Sequence, residues 1–188
     1  MESSSPERDA RTATLAAFAD TIVPGEKRSP QDRVIAGASD GPGAVAAGAI
    51  DLIETPATGI TAGLDPLAGM LNGHARAYAQ EHELTLDEDV PPFVALSFAD
   101  RTALVQRLTT PGHPEKDGWI GLALFCNMAF DAAAHLHTTD AIAAGHPGLA
   151  MLGFAAPGTD GLWRFPQSSY RKPLAERHPD TTPSGSPA

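Results

Sequence analysis

One segment restricts what this chain can fold into more than any other. From Trp119 to Leu136 it runs through Trp119, Ile120, Leu122, Leu124, Phe125, Cys126, Met128 and Phe130 without a proline. Wound at 3.6 residues per turn, these side chains point in all directions, and a helix apolar all round must be covered by neighbours on most sides. The segment therefore predicts a near-fully apolar central helix over about 118–137, with Asp117 placed to cap it. Asn127, Asp131 and His135 interrupt it, which makes it too polar for a membrane span.

The rest of the chain supplies candidate neighbours. Leu15, Phe18, Ala19 and Ile22 recur at i, i+3, i+4 and i+7, the spacing of one helix face, and Pro24-Gly25 ends that helix. A charged loop over 26–41, with a possible helical turn at 32–36, leads to Gly41-Pro42. A second helix over 44–54 carries Val45, Ala49, Leu52 and Ile53, and its small residues Ala46, Ala47, Gly48 and Ala49 allow close approach. A third runs from Asp65 to about His82 through Leu67, Met70, Leu71, His74, Ala75 and Tyr78. After a short turn at Phe93–Leu96, Ser97-Phe98-Ala99-Asp100 has the pattern of a capping box and opens a helix holding Leu104 and Leu108. A last piece spans 139–144. No stretch alternates polar and apolar residues as a half-buried strand does. The expected class is all-α, with about five helices, long loops and an extended C-terminal arm.

The chain's 188 residues suit one domain and a tail. The expected organisation is a flexible arm over 1–10, a helical domain over 11–147 and a Pro/aromatic arm over 148–188. That arm contains Phe154, Trp163, Phe165 and Tyr170 among six prolines, with no helical period. Disordered segments are poor in aromatics, so the arm is read as packing on its own domain or on a partner. Arg164, Arg171, Lys172 and Arg177 make it locally basic, which suits either pairing with an acidic partner surface or a solvated loop.

Charge and cysteine content narrow the functional classes. Thirteen basic against 23 acidic residues give a net charge of −10, which disfavours nucleic acid and anionic membranes. A single cysteine, Cys126, permits neither an internal disulfide nor a multi-cysteine metal centre. No dinucleotide or phosphate-loop fingerprint occurs, so the chain is expected to bind no cofactor by itself. The N-terminus has no apolar signal run and no twin-arginine pair, and a cytoplasmic location is expected.

Asn127, Asp131 and His135, spaced i, i+4, i+8, are the candidate catalytic residues. They would share one face of the central helix and either line a pocket or form its solvent strip. A histidine beside a carboxylate is sufficient for proton transfer. His135-x-His137 lacks the further ligands a metal site needs, and no metal is expected. Ser168-Ser169 has no nucleophile-elbow context.

Two stretches carry a family resemblance. Leu15-Ala16-Ala17-Phe18-Ala19-Asp20-Thr21-Ile22-Val23-Pro24, then Gly41-Pro42-Gly43 through Ile50-Asp51-Leu52-Ile53, resemble the start of the gluconate 2-dehydrogenase subunit 3 family. These are small subunits of GMC-type flavoprotein dehydrogenases. Phe93–Leu96, Arg101-x-x-Leu104 and the 119–130 helix extend the match to about residues 12–135. The resemblance implies an all-α accessory subunit without catalysis of its own, bound to a large subunit that carries FAD. In this reading Phe154, Trp163, Arg164, Phe165, Tyr170 and Arg171 are the expected partner-binding residues. The alternative is a stand-alone helical enzyme or small-molecule binding protein using Asn127, Asp131 and His135.

Overall fold

The computed structural model describes residues 5–154. Every regular element among them is helical: α1 (Ser5–Ile22), α2 (Ala49–Ile53), α3 (Leu64–Glu81), α4 (Pro92–Ala95), α5 (Phe98–Leu108), α6 (Lys116–Ala132), α7 (Thr138–Ala143) and α8 (Pro147–Met151). Two 3-10 turns, Pro56–Thr58 and Thr61–Gly63, join α2 to α3. The all-α class holds. Four of the eight helices are long; the other four are single turns or little more.

The central element is α1, not the apolar helix that the sequence put there. Thr14, Leu15, Ala16, Ala17, Phe18, Ala19 and Asp20 are buried in unbroken succession, and α2, α3, α4, α5 and α6 all pack against α1. Its alanines explain this. A helix with small side chains admits neighbours on every side without a high apolar content. Phe18 fills the middle, with its ring 6.5 Å from Phe93 and 6.1 Å from Trp119, centroid to centroid. Thr14 is satisfied locally: its hydroxyl donates to the Ala10 carbonyl and accepts from Asn72. Asn72 in turn accepts from the Phe93 backbone amide, tying α1, α3 and α4 together.

Several boundaries differ from the sequence expectation. α1 begins at Ser5, because Pro6 in the first turn lacks only an N–H that would be unpaired anyway and Glu7 suits the positive helix end. Residues 5–10 are therefore helical rather than an arm. The expected helix over 44–54 shortens to Ala49–Ile53, because Gly48 is left-handed at φ 85°. A Cβ there would lie 2.4 Å from Nε2 of His135, so only glycine fits. Asp32 organises residues 32–36 as a turn, accepting from the Val34 and Ile35 amides, and no helix forms. α6 stops at Ala132 because Ala133 is left-handed, at φ 49°. α8 crosses the 147/148 boundary expected between domain and arm, with Gly148 and Leu149 buried.

The loop from Val23 to Gly48 is closed by its own backbone. Ala44 donates to the Val23 carbonyl at 2.9 Å and Glu26 to that of Gly41 at 2.8 Å. Gly25 and Gly43 touch so closely that a Cβ on either would fall within 2.6 Å of the other's backbone nitrogen. Two buried charges hold the loop down. Asp20 accepts from the Gly25 and Ala36 amides at 3.1 and 2.8 Å. Arg101 on α5 donates to the carbonyls of Leu96, Val34, Arg33 and Val94 at 2.6–3.1 Å.

Candidate interaction face on the last long helix

The helix α6 is two-faced. Trp119, Leu122, Cys126 and Ala129 are buried at spacings of 3, 4 and 3, which make one continuous inner stripe. The indole N–H of Trp119 donates to Glu115 at 3.0 Å, and Glu115 also meets Nε2 of His74 at 2.8 Å, fixing the start of α6 against α3. Cys126 is 1% exposed, and burial pushes its thiol up to about 12, so it serves as a small core side chain.

The opposite face has its own stripe. Asp117, Gly121, Leu124, Met128 and Asp131 follow at spacings of 4, 3, 4 and 3, displaced from the inner stripe by two residues, or about 200°. Leu124 is 55% exposed and Met128 41%; Asp117 and Asp131 are exposed at the two ends. This corrects the expectation that α6 is buried on most sides. Among the described residues its neighbours bury the inner face, half-cover the flanks at Ile120, Ala123, Phe125 and Phe130, and leave Leu124 and Met128 open.

The C-terminal half of α6 receives α8. Gly148 lies so near the Phe130 carbonyl that a Cβ would come within 2.0 Å of the oxygen. His146 caps α8 by accepting from the Leu149 amide, and its Nε2 faces the Ala47 carbonyl at 2.9 Å. Met151 and Leu152, 61% and 51% exposed, leave α8 with apolar side chains to the outside.

Of the expected catalytic residues, Asn127 and Asp131 are exposed. His135 lies beyond the end of α6, its ring over Gly48 and 6.0 Å from that of His146. Its Nδ1 is buried without a hydrogen-bond partner among the described residues. Burial lowers its pKa, with Asp51 opposing and His146 adding to the fall. The structure does not bring the three together on one face, because the helix ends before the third. Two large clefts, of about 440 Å³ beside Lys27, Asp32 and Arg101 and about 530 Å³ beside Arg8, Gly48 and Glu54, include none of the three. Among the described residues no three His, Cys, Asp or Glu side chains converge as metal ligands. No helix among them is long and apolar enough to cross a membrane.

Of the expected partner-binding residues, Phe154 follows α8 and is 36% exposed. Trp163, Arg164, Phe165, Tyr170 and Arg171 lie outside the described residues. Sequence reasoning missed Leu124 and Met128 as surface residues. The signal was present: two apolar stripes of 3–4 spacing, half a turn apart, on one helix. It also missed the work of Asp20 and Arg101. Burial raises the carboxyl of Asp20 against its two amide bonds, and burial lowers the guanidinium of Arg101 against the charges of Asp20 and Asp32.

Residues 9–188 match a family of unknown function, DUF5987, and the chain belongs to that family. No curated protein and no solved structure matches it.

Proposed function

We propose that this chain is a non-catalytic accessory subunit that docks on a larger protein through the outer face of α6, and that the partner is an FAD-dependent GMC-type oxidoreductase in the cytoplasm. The observation that carries the docking part is the exposure of Leu124 and Met128 opposite a complete core stripe. Neither side chain contributes to the core, and burying the exposed half of each against a partner is worth about 1 kcal/mol apiece. Met151 at the end of α8 and Leu152 just after it add to the apolar surface that a partner can cover. Methionine suits such a role because its flexible, polarizable side chain adapts to the opposing surface. The identity of the partner rests on the resemblance of residues 12–135 to small subunits of flavoprotein dehydrogenases. In this reading FAD and the catalytic residues belong to the large subunit, and this chain supplies surface.

The test is a pull-down of the tagged full chain from its native host, read by mass spectrometry and by flavin absorbance of the eluate. The expected result is a large flavoprotein in near-equal amount, lost with Leu124→Glu. A colourless chain recovered alone refutes the subunit reading. A stoichiometric partner without flavin keeps the docking part and refutes the partner's identity.

A further inference from the structure

The charge around the outer stripe of α6 restricts what can seat there. The stripe is acidic at both ends, Asp117 and Asp131, and apolar between them at Leu124 and Met128. The one basic residue of α6 is Lys116, at its first position beside Asp117; from Asp117 to His137 the sequence contains no Lys or Arg. Neither of them forms an ion pair among the described residues. The spacing of 4, 3, 4 and 3 is that of a helix–helix seam, and Gly121 within it leaves room for a close approach of backbones. Asp117 and Asp131 are fourteen residues apart, about 21 Å along the axis.

A second copy of the chain fits this face badly. Packed antiparallel, Asp117 of one α6 would oppose Asp131 of the other. Packed in parallel, each aspartate would oppose itself. Like charges across a helix seam select against that partner, and the net charge of −10 adds long-range repulsion between copies.

We propose that the occupant of this face is an amphipathic helix of the partner protein, about four turns long, apolar at its centre and carrying Lys or Arg near both ends. The proposal rests on the subunit reading for the existence of a partner and adds the chemistry of its contact. The basic ends set the register by meeting Asp117 and Asp131, and the apolar centre covers Leu124 and Met128.

The experiment uses the full chain in its native host with a photo-crosslinking phenylalanine derivative in place of Leu124, and the cross-linked peptide is sequenced. The expected product joins position 124 to an apolar segment of another protein with basic residues about two turns to either side. In parallel, the double variant Asp117→Lys/Asp131→Lys should reduce recovery of the complex at least tenfold, and Asp117→Asn/Asp131→Asn less. Circular dichroism should show both variants folded. Three outcomes overturn the proposal: a cross-link between two copies of this chain, a cross-linked segment that is acidic or not helical, or a charge-reversed variant that binds as well as the parent. A complex that forms without any cross-link at position 124 also overturns it while leaving the subunit reading intact. Failure to recover any complex defeats both readings.

Discussion

Replacing Arg101 by methionine tests whether the loop over 23–48 is held by a buried cation. Arg101 is 3% exposed and donates to four backbone carbonyls. Methionine fills much of the same volume and donates nothing. The carbonyls of Leu96 and Val94 lose bonds in buried surroundings, and a stranded buried acceptor costs about 1–3 kcal/mol. The carbonyls of Arg33 and Val34 are at the margin, where water replaces the guanidinium, so they add only about 0.5 kcal/mol each. Relief of the buried charge's desolvation offsets part of the loss, but Asp20 then loses the favourable charge of Arg101. The net expectation is about 3–5 kcal/mol, as for removal of one partner from a buried charged network. At about 2–4 °C per kcal/mol for a unit of this size, the melting temperature should fall by about 6–20 °C. The assay is thermal and urea unfolding followed by far-ultraviolet circular dichroism. Trypsin cleavage at Arg28 and Arg33 should also accelerate in the native state as the loop comes free. Arg101→Lys should recover little, because one ammonium cannot span a forked set of four acceptors. A fall below about 3 °C, which is near 1 kcal/mol, with unchanged trypsin resistance, refutes the reasoning.

Further predictions follow from single positions. Gly48→Ala should destabilise by more than Gly41→Ala. Both residues are left-handed, at φ 85° and 84°, but only the first Cβ meets a ring, that of His135. Each substitution carries the backbone penalty of about 1–2 kcal/mol, and equal losses in urea unfolding would show that His135 moves aside freely. Cys126 should react with Ellman's reagent only as the chain unfolds, since burial holds its thiol near 12; native-state labelling at a free-thiol rate contradicts its place in the core. The carboxyl of Glu115 is held below its ordinary value of 4.5 by hydrogen bonds from His74 first and Trp119 next. A depressed carboxylate contributes stability that is fully present above pH 4.5 and is lost as pH falls through the folded value. Glu115→Gln should therefore flatten the acid limb of the melting-temperature curve below that pH, and parallel curves for the two proteins would remove Glu115 from the account.

Much of the fold was legible because periodicity and caps are local. The third helix was read to within a residue at each end, and Ser97 accepts from the Asp100 amide as its capping pattern implies. The errors occurred where distant contacts decide. Nothing near Gly48 announces that a histidine 87 positions later will lie over it, so the helix before Pro56 was read too long. Nothing near Ala133 marks a left-handed stop, since alanine favours the helix interior. The buried pair of charges was hidden for the same reason. Asp20 and Arg101 sit in helices with ordinary surface-like charges at other positions, and only the folded loop supplies the amides and carbonyls that make burial tolerable.

The misreading of α6 bears directly on function. Apolarity all round was equated with burial all round, which is the right inference for a helix inside a finished assembly. In the described residues the inside position belongs to α1, whose alanines carry little hydrophobic signal but admit five neighbours. The sequence of α6 therefore asks for more cover than residues 5–154 provide. A chain with no use for Leu124 outside the core gains nothing by exposing it beside Met128, whereas polar substitution at an exposed helix position ordinarily changes stability by less than about 0.5 kcal/mol. Stability alone would thus tolerate a polar outer stripe. Under the docking reading proposed above, a partner surface accounts for the mismatch between the cover the helix asks for and the cover that residues 5–154 give it. On this reasoning Leu124→Glu should leave the melting temperature nearly unchanged while abolishing the complex, and a variant that lost both together would place Leu124 in the fold rather than at its surface.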